Sequence, residues 1–287
     1  MRRGRVLRDG SAVDAVVAGG HLELPDGTAI ELAQAEWAAP VRPGKIVATH
    51  LSYRSRCDEY RMDAPPDVPS YFLKPPSSLS HHGAEVARPR GCRFLNYEGE
   101  IAVVIGARCS NVAVGDALDY IAGYTVANDW GIHDFRHADR GSMLRVKGQD
   151  GFCPLGPLLI DAAEVDPDDL TVRTFVNGDQ VQEGHTGTDL IFSFAYQVAD
   201  VARLITLEPG DVILTGTPAN SRPVEPGDLV EVEVERIGRL ANRVVELDHD
   251  LVEVGAAPEV GAQTLHVALA MPEDEAERRA TEGQAPR

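Results

Sequence analysis

The run Phe94-Leu95-Asn96-Tyr97-Glu98-Gly99-Glu100-Ile101-Ala102-Val103-Val104-Ile105-Gly106 limits what this chain can fold into more than any other stretch. Ile101 to Ile105 is apolar, largely β-branched and stopped by a glycine, which reads as a strand. Alternate side chains of a strand share a face, so Glu98 and Glu100 point the same way, roughly 6.5 Å apart along the backbone. Gly99 lies on the opposite face. Two acids leading straight into an apolar strand are costly unless something cationic compensates them. A hard divalent ion such as Mg²⁺, Mn²⁺ or Ca²⁺ prefers carboxylate oxygen and meets that need. The alternative is a strand end whose acids are simply solvated.

The overall charge sharpens the question. At −18 over 287 residues, the chain is a poor match for nucleic acid or an anionic membrane. An anionic substrate would have to be held by local cations. Lysine is scarce, with Lys45, Lys74 and Lys147 the only three, so each one at a specific place is of interest. Cys57, Cys92, Cys109 and Cys153 show neither CxxC pairing nor zinc-ligand spacing, and read as reduced thiols of a cytoplasmic protein. The basic start Met1-Arg2-Arg3-Gly4-Arg5 is not followed by an apolar core, so no signal peptide is expected. No apolar run approaches the ~20 residues of a membrane span.

Three regions follow from the order of turns and runs. Residues 1–42 form a small β-rich lead-in, 43–247 the main, catalytic domain, and 248–287 a C-terminal extension. The charged stretch from Pro272 to Arg279 and beyond is expected to be disordered or a frayed helix. Within the main domain, Asn177-Gly178 marks a hairpin. Pro209-Gly210-Asp211 and Pro226-Gly227-Asp228 each lead into a β-branched run. Helices are expected over Trp130 to Arg140, capped by Asn128 or Asp129, and over Leu190 to Ile205, capped by Thr188 or Asp189. Few long helices among many strands point to a β-dominated α+β fold rather than a doubly wound one.

Glu98, Glu100 and Asp129 make a three-carboxylate set, two from one strand and one from the end of another. Around a dication, such a set suits a substrate that chelates through a keto or enol oxygen and a carboxylate. The metal would polarise that carbonyl as a Lewis acid and stabilise an enolate. Lys147, between an apolar run and a glycine turn, faces solvent or neutralises an anion, and Thr217 offers a hydroxyl beside it. Lys74 ends a strand where loops carry function. Tyr53, Arg54 and Arg56 lie in a polar, proline-interrupted segment that either binds a carboxylate or is a surface loop.

The combination Tyr97-Glu98-Gly99-Glu100, Asn128-Asp129, Lys147-Gly148-x-Asp150 with Pro154-Leu155-Gly156-Pro157, and Leu207-Glu208-Pro209-Gly210-Asp211-Val212-Ile213-Leu214-Thr215-Gly216-Thr217-Pro218 resembles the fumarylacetoacetate hydrolase superfamily. The likeness runs from about residue 45 to 235. It implies a mixed β-sandwich roll with a few peripheral helices, a homodimer, and one Mg²⁺ or Mn²⁺ per subunit on Glu98, Glu100 and Asp129. It further implies a small anionic 2-oxo or 2-hydroxydienoic acid substrate, contacted by Lys147 and Thr217. Phe72-Leu73-Lys74-Pro75 and the stretch from Arg140 to Pro157 are similar to bacterial isomerases and decarboxylases of aromatic catabolism, acting on 2-hydroxyhepta-2,4-diene-1,7-dioate and its tricarboxylate precursor.

Two departures bear on the reaction. Hydrolytic members carry a histidine soon after the first-loop tyrosine, paired with a glutamate to activate water; here Arg56 stands near that position, while Glu59 remains. The family's arginine shortly after the metal aspartate is His133 here. Both favour a metal-stabilised enolate with proton transfer over water activation, with His133 offered as the proton-transfer group. His50, His81 and His82 are rival bases. His133 and His137, spaced i and i+4, also mimic a zinc helix, but the nearby acids suit a harder ion. The expected activity is isomerisation or decarboxylation of a 2-hydroxydienoic or 2-oxo dicarboxylic acid. C–C bond hydrolysis of an acylpyruvate, and a catalytically silent acid-binding homologue, are the alternatives.

Overall fold

The computed structural model describes residues 1–283. Among these, thirteen strands join in one mixed sheet and five in a second. The centre of the larger sheet is the strand Gly99–Ile105, antiparallel to Ile121–Asn128 on one side and to Val212–Leu214 on the other. Val212–Leu214 runs parallel to Ile46–His50, which pairs with Ser70–Lys74 at the edge. The smaller sheet runs in the order Asp179–His185, Thr171–Val176, Leu229–Val234, Gly238–Glu246, Glu85–Arg88.

The central strand is apolar without interruption because both of its faces are covered. Ile101, Val103 and Ile105 enter a core shared with Val172, Val232, Val234 and Leu240 of the smaller sheet. Ala102 and Val104 point the other way, into a second core with Trp130, Phe152, Leu155 and Leu214. Gly99 follows the first parity: a side chain there would meet the Thr174 hydroxyl at 2.1 Å and Val232 at 3.1 Å. Glu98 and Glu100 follow the second. The result is a β-dominated α+β fold, a mixed β-sandwich roll whose helices are short and peripheral.

The segment 1–42 extends the larger sheet. Arg2–Arg8, Ser11–Ala18, His21–Glu23 and Ala29–Glu31 form an antiparallel meander, joined to the rest where Arg2, Arg3 and Gly4 pair with Ile160, Leu159 and Leu158. It carries its own small core of Val6, Ala15, Leu22, Leu24 and Trp37. The Asn177-Gly178 turn has both residues at positive φ, 52° and 91°, as a two-residue hairpin requires.

Three segments differ from the sequence expectation. Residues 130–140 are not one helix: Gly131–Ile132 pairs with Leu95–Asn96, a 3-10 turn spans His133–Phe135, and only Arg136–Asp139 is α-helical. Asp129 cannot cap a helix because two lysines occupy its carboxylate. The helix expected from Leu190 starts at Phe194, capped by the Ser193 hydroxyl, which accepts from the Tyr196 N–H at 3.2 Å. Asp189 instead accepts from the backbone N–H and hydroxyl of Ser55, at 2.8 and 2.6 Å. Last, the charged stretch after Pro272 forms the helix Glu273–Thr281, which buries Ala276 against the helix Ala262–Leu269. Residues 284–287 of that extension lie outside the described residues.

Candidate metal and substrate site

The antiparallel pairing of the two central strands sets the three acids. Gly99 faces Asn128, whose side-chain oxygen accepts from the Glu98 N–H at 2.8 Å. The Asp129 N–H donates to the Glu98 carbonyl, also at 2.8 Å. This lock turns Glu98, Glu100 and Asp129 toward a common point, with one carboxylate oxygen of each within 4.8 Å of the others. They are the only such cluster of metal-ligating side chains among the described residues.

Two lysines pack against this cluster. Lys147 Nζ donates to Glu98 Oε2 at 2.6 Å and to the Asp129 carbonyl at 2.7 Å, and lies 3.1 Å from Asp129 Oδ2. Lys74 Nζ bonds Asp129 Oδ1 directly and approaches the Trp130 carbonyl at 3.4 Å. Lys147 reaches the site from the short helix Leu144–Lys147, whose first N–H groups are held by the Asp139 carboxylate: Arg145 N at 2.7 Å and Val146 N at 2.9 Å. Its stem crosses Gly131 so closely that a side chain there would stand 2.9 Å from Lys147 Cε. Glycine is needed at that crossing.

Arg56 adds a longer contact to Glu98, at 3.7 Å. Glu100 forms no ion pair; its Oε2 accepts from the Gly216 N–H at 2.7 Å. Burial, then the charges of Asp129 and Glu98, push its carboxyl well above the usual range. Burial works the same way on Asp129, but Lys147 and Lys74 outweigh it and its carboxyl lies below its ordinary value. Burial opposes the charge on Lys147, yet Asp129 and Glu98 hold its ammonium above the ordinary value. The site therefore holds one carboxyl without a cation of its own in an all-oxygen set, a donor set that suits a hard divalent cation.

A cavity of about 890 Å³ opens on this cluster. Arg56, Arg136, Lys147, His50, His133 and Thr217 line it beside the three acids, and Asp63, Glu273 and Asp274 line it further out, so cations and carboxylates alternate around it. Thr217 Oγ1 accepts from Gln182 Nε2 at 3.0 Å, which leaves its own hydrogen free to point elsewhere. His133 is 1% exposed and neither ring nitrogen has a partner. Burial, then Arg136, Lys147 and Arg56, hold its pKa well below the ordinary 6.5, so the ring is neutral.

Not every residue singled out from the sequence reaches the cavity. Arg54 is exposed at the start of the helix Arg54–Glu59 and does not line it. Tyr53 is fully buried behind it, against Gly184, with its hydroxyl unpartnered. Strand geometry explains both: Tyr53 bridges to Leu190, which turns Arg54 outward and its own ring inward. Glu59 also stands off the lining. It accepts from Arg56 Nη1 and Arg222 Nη2, both at 2.6 Å, and from the Asn220 N–H at 3.1 Å. Lys74 touches Asp129 rather than the open space. His81 and His82 lie elsewhere, around a shallow cleft with Trp37. His137 pairs with Glu259 at 3.7 Å, away from His133's cavity. Sequence reasoning missed Arg136, Gln182 and His266. The first was concealed by the expected long helix, the second by its place in a hairpin, and the third by its place in an apparent tail.

Residues 45–245 match the family described as fumarylacetoacetate (FAA) hydrolase, C-terminal. The chain belongs to this family. A 4-hydroxyphenylacetate degradation bifunctional isomerase/decarboxylase of Escherichia coli is 43% identical over 203 residues, which is 70% of this chain and 47% of that protein. The chain thus spans about half the length of that fumarylacetoacetate hydrolase relative. The crystal structure of a 5-carboxymethyl-2-hydroxymuconate delta-isomerase from Mycobacterium smegmatis superposes with a TM-score of 0.78 at 34% identity, covering 87% of this chain and 100% of that one. A maleylpyruvate hydrolase from Sphingobium, solved with manganese(II) and pyruvate, superposes at 0.72 with 29% identity, over 86% of this chain and 99% of that one. A divalent metal is therefore found within the family, and the acids of this chain supply a matching donor set.

Proposed function

We propose that the protein is a divalent-metal-dependent isomerase or decarboxylase acting on a 2-hydroxydienoic or 2-oxo dicarboxylic acid of aromatic-compound catabolism. The observation that carries this reading is Glu100, a buried carboxyl with no cation of its own inside a cluster of three acids, in a cavity that Lys147, Arg56 and Arg136 also line. Mg²⁺ or Mn²⁺, one per subunit, would be held by Glu98, Glu100 and Asp129. When bound, it supplies a Lewis acid that polarises a carbonyl oxygen and charge that attracts a carboxylate.

The chain's own groups supply the rest. Lys147, kept protonated by Asp129 and Glu98, holds substrate anion beside the acids. Lys74 fixes the orientation of Asp129. The Thr217 hydroxyl, its oxygen already engaged by Gln182, donates to a substrate oxygen. Arg136 lines the cavity without a carboxylate partner: its Nη1 reaches the Met143 sulfur at 3.2 Å and its Nε is unpaired. A half-buried guanidinium in that state is suited to a second substrate carboxylate. His133, neutral and unpaired, has one nitrogen free to take a proton and the other to give one, as migration along a conjugated chain requires.

The hydrolytic alternative draws on the maleylpyruvate hydrolase neighbour. It is disfavoured by Glu59, whose carboxylate is saturated by Arg56, Arg222 and the Asn220 N–H and has no histidine to work with. Incubation of the purified protein with a 2-hydroxydienoate and Mg²⁺, following the dienol absorbance, separates an enzyme from a silent acid-binding homologue. Unchanged product mass reports isomerisation, loss of CO₂ decarboxylation, and two fragments hydrolysis. The same reading takes the chain as a cytoplasmic homodimer. The exposed apolar residues Val114, Leu118, Leu204 and Ile205, on a packed turn and helix, support the pairing, which light scattering checks.

A further inference from the structure

Beyond residue 245, where the family likeness ends, the chain returns to the cavity. The linker after the last strand is exposed, with Val252 and Val254 83% and 81% accessible. The two helices that follow, Ala262–Leu269 and Glu273–Thr281, are docked. Leu265 and Ala268 are fully buried, and with Met271 and Ala276 they form a separate core on Phe94.

The docking points are the segments that carry the site. Tyr60, one residue past Glu59, donates its hydroxyl to the Val267 carbonyl at 3.1 Å. Asn96, two residues before Glu98, donates Nδ2 to the Ala268 carbonyl at 2.9 Å. The turn after Asp129 is held twice: the Thr264 hydroxyl donates to the His133 carbonyl at 3.2 Å, and the Glu259 N–H to the Asp134 carbonyl at 2.9 Å. Three separate stretches of the active cavity are thereby tied to one helix pair.

His266 is the side chain this arrangement presents. It lines the cavity, with its ring centroid 5.3 Å from that of Tyr60. Its Nδ1 lies 2.7 Å from the Met271 carbonyl. A carbonyl only accepts, so Nδ1 carries the hydrogen and Nε2 is the nitrogen left over. Glu273 Oε1 lies 3.9 Å from Nε2, beyond hydrogen-bond reach. Glu273 and Asp274 line the same stretch of the cavity, so a ligand carboxylate there competes with Glu273 for the ring.

We propose that the C-terminal helix pair is the far wall of the substrate cavity and that His266 is a specificity residue, meeting the end of the acid remote from the metal ligands. This rests on the reading of the site as a metal and 2-oxo acid centre. The ligand class is a 2-oxo acid long enough to bring a terminal carboxylate, shared with Arg136, to Nε2, where it binds together with a second ring proton; pyruvate has no such carboxylate.

The test uses the full chain loaded with Mn²⁺ and two non-reacting probes, pyruvate and 2-oxoheptanedioate, with dissociation constants from calorimetry. His266→Ala is expected to weaken the long acid about tenfold relative to pyruvate, with Mn²⁺ affinity retained and the melting temperature lowered slightly by loss of the Met271 hydrogen bond. His266→Gln, which keeps a polar end, is expected to lose less. Equal affinities in wild type and both variants, or equal losses for both acids, overturn the assignment of His266 and leave the metal-site reading standing. A wild-type protein that holds neither acid with Mn²⁺ overturns the metal-site reading, and the assignment falls with it.

Discussion

Two buried charged clusters lie side by side in this molecule and differ in their accounts. Around Glu59, two guanidiniums and a backbone N–H satisfy one carboxylate, and Arg56 adds a longer contact of 3.7 Å to Glu98. Around Glu100, two lysines and the more distant Arg56 face three carboxylates, and Glu100 itself has no cation. A saturated cluster holds the backbone in place. An unsaturated one, buried at a cost of several kcal/mol per uncompensated charge, persists only where something else completes it. Glu59 therefore orders the loop that carries Arg56, and on the reading proposed above an ion would complete Glu98, Glu100 and Asp129.

The difference is broken most severely at Asp129. Asp129→Asn is expected to lower Mn²⁺ affinity more than about 100-fold, since loss of even an outer partner of a metal ligand costs 10–100-fold. Calorimetric titration reads this directly. If Asp129→Asn bound Mn²⁺ as wild type does, the three-acid cluster would not be the ion site. Arg136→Gln acts on the other unsaturated charge. It is expected to reduce kcat/KM for a dicarboxylic substrate about 30-fold, with Mn²⁺ affinity unchanged; an equal loss for a monocarboxylic substrate would remove its role as the second anchor. Glu59→Gln should do the reverse of Asp129→Asn. Mn²⁺ affinity stays, while stability falls by about 2 kcal/mol, toward the low side for buried pairs because Arg222 is 37% exposed. Thermal unfolding is expected to shift down by about 5 °C.

The contrast between the clusters also explains what the sequence could reveal. Glu98 and Glu100 were legible because period-2 geometry and a following apolar run place them on one face, whatever the rest of the chain does. The β-dominated fold was legible from repeated Pro-Gly-Asp turns and β-branched runs. The fate of Asp129 as a cap was misread, since nothing local says that Lys74, 55 positions away, takes its carboxylate. Arg54 and Tyr53 looked like substrate contacts by composition, but the bridge of Tyr53 to Leu190 decides which way each points. The helix Glu273–Thr281 reads as a charged tail because Ala276 and Ala280 are its only apolar residues. Leu265, Ala268, Met271 and Ala276 suffice only because Phe94 and the site's own loops complete their core. Local pattern carries local geometry; long-range charge pairing and docking are set by partners that a linear reading does not place.

The smallest effect isolates the Glu100 charge itself. Burial and two neighbouring acids raise the folded-state pKa of Glu100, so its contribution to stability is fully present below its ordinary value of 4.5 and lost as pH rises through the folded value. Asp129 is shifted the other way, and its contribution is lost only as pH falls below its ordinary 3.8, which separates the two windows. Glu100→Gln removes the charge and keeps an oxygen for the Gly216 N–H. Without metal, and at a pH above the folded value of Glu100, the variant is expected to melt about 2–4 °C above wild type, roughly 1 kcal/mol for a chain of this size. The gap should close as pH falls through the folded value of Glu100. Saturating Mn²⁺ should reverse the order, because only the wild type gains the binding energy, about 2.7 kcal/mol at 100 times the dissociation constant. A variant less stable than wild type without metal at every pH up to the alkaline limit of folding would mean that Glu100 is already compensated within the chain, and the two clusters would then differ in position but not in kind.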